Sequence, residues 1–161
     1  MVVVRAVIML FVLVAMQQVY ADDLYLVLNG KSYHLEDRNF NEKNIGLGME
    51  WDISRGGNWI PFVAASEFKD SHSNPSRYLG GGVKYRYHFD ADPDGWYSDL
   101  GMIAFLMTRH DWKNNNPFFG ALPFATLGYG PVALNFTYIP RVTPKSVPLF
   151  YIQAKVRIYQ W

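Results

Sequence analysis

Residues 59–71 read Trp59-Ile60-Pro61-Phe62-Val63-Ala64-Ala65-Ser66-Glu67-Phe68-Lys69-Asp70-Ser71, and this stretch governs the reading of the whole chain. It opens as an apolar, aromatic-rich strand and closes in groups suited to acid–base or nucleophilic chemistry. Side chains alternate across a strand, so Phe62, Ala64, Ser66, Phe68 and Asp70 share one face and Ser71 falls on the other. Asp70 and Ser71 cooperate only where the strand has already become a loop. The segment Ser71-His72-Ser73-Asn74-Pro75-Ser76 has the turn chemistry for that loop. A hydrophobic strand delivering reactive groups to its own rim is the motif that the remaining chain must accommodate.

Outward from it in both directions the same grammar repeats. Strands are expected over 24–34, 45–54, 59–68, 78–89, 96–108, 118–127, 132–139 and 149–161. Tight turns at Arg55-Gly56-Gly57-Asn58, Asp90 to Gly95 and Gly128-Tyr129-Gly130 alternate with longer polar connections over 36–44, 109–117 and 140–148. No sustained helical periodicity interrupts them. Eight strands joined by alternating short and long connections predict an all-β, antiparallel, up-and-down transmembrane barrel. A soluble lipocalin-like barrel satisfies the same strand count and is the alternative. In the last strand Phe150, Ile152, Ala154, Val156 and Ile158 share one face while Tyr159 and Trp161 fall on the other. A bulge near Ile158 is therefore expected, so that Trp161 rejoins the lipid-facing set.

Composition agrees. The chain has 161 residues, enough for one domain, with 17 % aromatics, 13 glycines, 9 prolines and no cysteine. That mixture favours strands and turns, and it excludes disulfides and thiolate metal sites. Residues 1–21 have the form of a cleaved export signal: one charge at Arg5, an apolar run over 6–16, and Val19-Tyr20-Ala21 as the cleavage site. The expected mature barrel domain is 22–161. Without Arg5 the 15 basic residues become 14, matched by 14 acidic ones, and no basic patch invites nucleic acid. His72, His88 and His110 show no ligand spacing, so neither metal nor other cofactor is implied.

Parity then yields a site. If both termini lie on one side of the membrane, the connections after the first and third strands open together on the far rim. His34, Asp70 and Ser71 all stand there. An imidazole, a carboxylate and a hydroxyl together suit acyl transfer or hydrolysis, although outer loops of inert barrels are polar too.

At this point the chain resembles the lipid A palmitoyltransferase (PagP) family of eight-stranded outer-membrane enzymes. The likeness runs over most of the mature chain. It is carried by Gly57-Asn58-Trp59, Phe68-Lys69-Asp70-Ser71, Leu122-Pro123, Gly128-Tyr129-Gly130-Pro131-Val132 and Thr137-Tyr138-Ile139-Pro140, in that order. Asp23-Leu24-Tyr25 resembles the opening of the family's first strand. The resemblance implies a monomeric enzyme of the Gram-negative outer membrane that moves a palmitoyl chain from the sn-1 position of a phospholipid donor to lipid A. It implies His34, Asp70 and Ser71 as the essential residues.

It also implies lipid gating at Pro123 and Pro140, where prolines interrupt strand pairing, and an acyl-pocket floor at Gly82. A bend or bulge in Gly80-Gly81-Gly82 is the competing reason for those glycines. Two departures stand out: Val27 occupies the place of a gating proline, and the family's leading amphipathic helix has no counterpart before the first strand. The expected mechanism leaves Asp70 to orient His34 or to stabilise its cation. Ser71 is either nucleophile or oxyanion donor, and direct transfer is equally open. A non-catalytic structural or adhesive barrel and a phospholipid hydrolase are the alternative functions.

Overall fold

Eight antiparallel strands close on themselves in chain order in the computed structural model, which describes residues 21–36, 39–110, 115–141 and 146–161. They are β1 (Asp23–His34), β2 (Lys43–Asp52), β3 (Trp59–Lys69), β4 (Pro75–His88), β5 (Trp96–Arg109), β6 (Phe118–Tyr129), β7 (Val132–Ile139) and β8 (Leu149–Gln160). Strand β8 pairs back onto β1 and closes the ring. The expected export signal, except Ala21, lies outside the described residues.

The alternation explains which way the ring faces. On β2 the residues Ile45, Leu47, Met49 and Trp51 point outward, whereas Asn44, Glu50 and Asp52 are buried inside. Ile45, Leu100 and Phe119 are 70 %, 69 % and 71 % exposed, so the apolar face is the outer one. A lipocalin-like barrel would be polar there, and the soluble alternative fails on this point. Trp51, Trp59, Trp96, Tyr129, Tyr159 and Trp161 ring the short-turn end, while Tyr33, Phe119, Tyr138 and Phe150 mark the long-loop end. These are the two aromatic girdles of a membrane barrel.

Two bulges adjust the register. On β8 the ladder steps from Leu24↔Tyr159 to Tyr25↔Arg157, so Ile158 is the extra residue. Trp161 thereby joins Trp51 on the outside, ring centroids 6.0 Å apart. Strand β8 itself ends at Gln160, and Trp161 continues the pairing through backbone bonds with Asp22 of 2.8 and 3.2 Å.

The second bulge is on β1, where Asn29↔Gln153 is followed by Lys31↔Ile152 and Gly30 is passed over. Inward positions run through Asp23, Tyr25, Val27 and Asn29, then resume at Ser32 and His34. Without that extra residue His34 would point to lipid. A Cβ at Gly30 would stand 2.8 Å from the Ile152 carbonyl oxygen, which is why glycine occupies the bulge.

Strand β4 begins at Pro75, three residues before the expected start, so the loop from β3 is a tight turn over 70–74. The closed interior is filled by side chains in two layers. Toward the short-turn rim lies a buried set of ions, Glu50, Asp52, Lys84, Arg86, Asp99 and Lys155. Toward the long-loop rim the interior opens into a cavity of about 100 Å³. Phe62 and Phe124 meet edge to face at 5.5 Å between the two layers.

Candidate active site at the long-loop rim

Ser71 is positioned by the carboxylate that precedes it. Asp70 is only 2 % exposed and its oxygens are committed to the turn. One accepts from the backbone N–H groups of His72 (2.9 Å) and Asn74 (3.0 Å), and the other accepts from the Ser76 hydroxyl (3.2 Å). This is an Asx-type arrangement that lets an aspartate nucleate a turn. Arg109 adds charge at 3.7 Å.

The β1–β2 connection is tied to this turn. The Asn41 N–H donates to the Ser71 carbonyl (2.8 Å), and the Asn41 side-chain amide donates to the Asp70 carbonyl (3.2 Å). The Asn44 amide donates to the Lys69 carbonyl at 2.8 Å. These bonds fix the end of β1 against the end of β3.

His34 and Ser71 come together across that junction, with Nε2 and Oγ 2.9 Å apart. The His34 ring stacks on Phe40, centroids 4.2 Å apart, and Phe40 in turn meets His72 edge-on at 5.7 Å. The Nδ1 atom is buried and lacks a hydrogen-bond partner. The carboxylate facing it is Glu42, whose Oε1 stands 3.8 Å away while accepting from the His34 backbone N–H at 3.3 Å. Of the three residues singled out on this rim, the fold thus brings His34 and Ser71 into contact. Asp70 holds Ser71 from behind, and no bond joins its carboxylate to the imidazole among the described residues. The reason is local: one Asp70 oxygen accepts two backbone N–H groups of its own turn and the other accepts the Ser76 hydroxyl, which holds the carboxylate within the turn. The carboxylate nearest the His34 ring is therefore Glu42, 3.8 Å from Nδ1, and not Asp70.

Below the pair lies the cavity, lined mostly by apolar side chains: Phe62, Ala64, Phe68, Ile103, Phe105, Met107, Leu122, Phe124 and Ile139, with Tyr78, Tyr151 and the ionic Glu50 among the rest. On β3 its walls run from Phe68, one inward position below Asp70, down to Phe62. That is six residues, or about 20 Å of strand.

Gly82 faces inward on β4, level with Phe62 in the β3–β4 ladder. It does not itself line the cavity. A Cβ there would meet the Phe62 ring tip at 2.9 Å, the Ile103 Cα at 3.0 Å and, closer still, the Met102 carbonyl. The aromatic floor rests against this glycine.

Among the described residues the wall splits between β6 and β7. Pairing between β6 and β7 runs from Tyr129↔Val132 to Phe124↔Thr137 and stops. Beyond it, Phe118 to Pro123 pair with β5, whereas Tyr138 and Ile139 pair with β8. Pro123 is the first β6 residue past the last pair, and Pro140 follows the end of β7. Proline has no N–H to leave unsatisfied, which suits both positions. Val27, by contrast, is paired on both sides, to Gly48 and Lys155.

Sequence reasoning passed over Gly30, Phe40, Asn41 and Glu42. A lone aromatic inside the polar stretch 36–44 was the available signal for Phe40. The bulge that turns His34 inward depends on register across two neighbouring strands, which no single stretch displays.

Comparison with known proteins adds the following. The family described as "Antimicrobial peptide resistance and lipid A acylation protein PagP" matches residues 15–154. A lipid A acyltransferase PagP of Methylobacillus flagellatus is 34 % identical over 127 residues, covering 73 % of this chain and 65 % of that protein. A lipid A palmitoyltransferase PagP of Escherichia coli K12 is 36 % identical over 104 residues, covering 63 % of this chain and 53 % of its own length. The chain thus spans between half and two thirds of the curated relatives it matches. Among solved structures, the Yersinia pestis outer membrane protein Ail aligns over 86 % of this chain and 99 % of its own, at 6 % identity and a TM-score of 0.49.

Proposed function

The chain belongs to the PagP family, and from that premise we propose that it transfers a fatty acyl chain from a phospholipid to lipid A in the Gram-negative outer membrane. The observation that carries the proposal is the 2.9 Å contact between His34 Nε2 and Ser71 Oγ on the rim toward which an apolar cavity inside the barrel lies. A hydroxyl in contact with an imidazole is a nucleophile paired with its base. The cavity supplies an apolar place for the chain being moved.

In this reading His34 takes the Ser71 proton as Oγ attacks the donor ester carbonyl. The ester C–O bond then breaks, and the proton passes to the departing lysophospholipid oxygen. A hydroxyl of lipid A next gives its proton to His34 and attacks the acyl-serine. The Ser71 oxygen leaves and recovers the proton. Asp70 acts as a positioning residue that holds the Ser71 turn, and Glu42 faces the imidazolium formed in each half. The split between β6 and β7, bounded by Pro123 and Pro140, is the proposed lateral entry for lipid. Unpaired backbone is costly in hydrocarbon unless something of this kind requires it.

The test is the lipid A of cells with and without the protein, read by mass spectrometry. Wild type adds one acyl chain, whereas Ser71→Ala and His34→Ala each abolish the addition and still give a folded barrel. Near-normal transfer in both variants overturns the assignment and favours a non-catalytic barrel. Fatty acid released without any acylated product favours the hydrolase. Intact-mass detection of an acylated Ser71 with donor alone separates the covalent route from direct transfer, in which Ser71 would instead donate to the oxyanion.

A further inference from the structure

Three described arginines at the long-loop rim have acidic neighbours. Arg77 bonds Glu67 at 2.6 Å, Arg141 pairs with Glu36, and Arg109 lies 3.7 Å from Asp70. Lys31, Lys43 and Lys69 differ. None has an acidic partner among the described residues, and all three are exposed on the outer face of the barrel.

Their placement is concerted. Lys31 and Lys43 stand directly opposite each other in the β1–β2 ladder. The β2–β3 ladder matches Gly46 with Phe68, so Lys69 sits beside Ile45, one diagonal step from Lys43. Directly opposed residues have Cβ atoms about 5 Å apart and diagonal ones about 7 Å. Like charges so placed repel, and the repulsion grows at a membrane boundary where the dielectric falls below that of water. The Lys31 ammonium also lies 4.4 Å from the centre of the Tyr33 ring, which belongs to the girdle on this rim. A triad of unpaired lysines at headgroup level becomes favourable when an anion sits among them. The anions native to that level are lipid phosphates, which lysine binds as a point charge.

We propose that Lys31, Lys43 and Lys69 form a lipid-phosphate site on the outer wall of the barrel, and that the phosphate seated there is carried by the acyl acceptor. The second part rests on the transferase reading above. Lys31 is three residues from His34 and Lys69 two from Ser71, so a headgroup anchored on the lysines lies within about 10 Å of strand from the reacting pair. The donor has a separate proposed route, through the β6–β7 split on a different part of the wall. The lysine site thus sets which glycolipid presents its hydroxyl to His34, by the charge the glycolipid carries.

The experiment measures steady-state transfer in detergent micelles, with lipid A as acceptor in its phosphorylated form and after enzymatic dephosphorylation. Lys43→Gln should raise KM for phosphorylated lipid A about fivefold per lysine charge lost, with kcat and donor KM unchanged. Wild type should lose more than that single-lysine factor when the acceptor is dephosphorylated. Lys43→Gln should lose less than wild type does, and the triple variant Lys31→Gln, Lys43→Gln, Lys69→Gln should lose nothing further. Arg77→Gln removes a charge from the same wall outside the triad and should leave every constant unmoved. A rise in donor KM instead assigns the phosphate to the phospholipid and overturns the acceptor assignment. Constants equal to wild type in Lys31→Gln, Lys43→Gln and Lys69→Gln overturn the site. Native mass spectrometry of the barrel with each form of lipid A provides an arm free of chemistry. If wild type transfers nothing, the transferase reading fails, and retention of phosphorylated over dephosphorylated lipid, weakened in Lys43→Gln and lost when all three lysines are changed to glutamine, then decides the lysine site on its own.

Discussion

The two halves of the barrel interior solve opposite problems with the same eight strands. The half toward the short turns is filled by ions. Lys84 bonds Glu50 at 2.8 Å and Asp52 at 2.6 Å, Lys155 bonds Glu50 at 2.6 Å, and Arg86 grips Asp99 through two bonds of 2.7 and 3.0 Å. Three cations face three carboxylates, with Tyr25 and Tyr97 beneath them as cation–π partners. The half toward the long loops is left partly empty and apolar. Side chains fill a ring this narrow completely unless some positions are kept small or their neighbours are held back. The empty half therefore has to be maintained by the filled one, whose ions, roofed by Phe62 and Phe124, give the cavity a bottom. The lesson is a division of labour: the lower layer carries stability and the upper layer and rim carry function. Substitutions should separate the two.

The strongest way to break that division is to unpair the lower layer. Lys84 is fully buried between two carboxylates, so Lys84→Met leaves Asp52 with only Arg86 at 3.5 Å in a low-dielectric interior, while Glu50 is left with Lys155 alone. Removing one partner of a buried ion pair costs about 3–5 kcal/mol. Lys155→Met should cost less, since Glu50 keeps Lys84 as partner. Urea titration of the barrel in detergent, followed by tryptophan fluorescence, gives both midpoints. Any protein that does fold should transfer acyl chains normally. A Lys84→Met barrel as stable as wild type, or a Lys155→Met loss equal to that of Lys84→Met, contradicts the division.

Next in size is a change at the rim. Gly30→Val places a branched side chain against the Ile152 carbonyl and opposes the bulge that faces His34 inward. A displacement of about 1 Å between reacting groups costs on the order of a hundredfold in rate. Transfer should fall by that order while the urea midpoint moves by much less than in Lys84→Met. If activity and midpoint fall together in proportion, the bulge is a stability element and the two halves are not separable.

How much of this was open to the sequence differs between the halves. Strand count, closure, the outward apolar face and the need for a bulge at Ile158 follow from alternation, which is local and strict. The lower layer was legible in principle. Glu50, Asp52, Lys84, Arg86, Asp99 and Lys155 all occupy inward parity, and six charges inside a barrel must neutralise one another. At the rim, the meeting of His34 and Ser71 was legible because one ends a strand and the other stands just past the end of one, in directions fixed by the count. That Glu42, and not Asp70, stands nearest the His34 Nδ1 atom was not legible, because both lie in or beside loops. There backbone hydrogen bonds, and not periodicity, decide where a carboxylate points. Gly30 was missed because a bulge is a relation among three strands.

A smaller effect sharpens the rim itself. Glu42 is partly exposed and 3.8 Å from His34 Nδ1, so its attraction for an imidazolium is that of a screened pair. Such pairs contribute about 0.2–1 kcal/mol, or at most roughly fivefold in rate. Glu42→Gln keeps the shape and loses the charge, so kcat should drop within that range while KM for both lipids stays put, and Glu42→Asp should recover part of the loss. The drop should shrink in high salt, which screens the wild-type pair. An unchanged kcat in Glu42→Gln returns the carboxylate role to Asp70.

The smallest expected effect lies at the boundary between the halves, where Gly82 touches the floor. A side chain at this position does not enter the cavity directly, because the nearest atoms are the Met102 carbonyl, Ile103 Cα and the tip of the Phe62 ring. Of these only the ring moves cheaply, and the apolar space is on its far side. Gly82→Ala should therefore strain the β4–β5 ladder at the Met102 carbonyl, at a cost in stability larger than that of Gly81→Ala. In the folded barrel it should lift Phe62, so that donor preference shifts by about one or two carbons toward shorter chains. Gly81 gives the control. It faces outward, and a Cβ there would meet the Phe62 carbonyl oxygen at 3.2 Å and Val63 at 3.7 Å, leaving the interior untouched. Gly81→Ala should cost some stability and leave the profile as it is. The measurement is the acyl-length distribution of the product from a mixed phospholipid pool. An active Gly82→Ala barrel with the wild-type distribution would show that Phe62 does not set the depth. The cavity bottom would then be the ionic layer, through Glu50, with the aromatic pair only its lining.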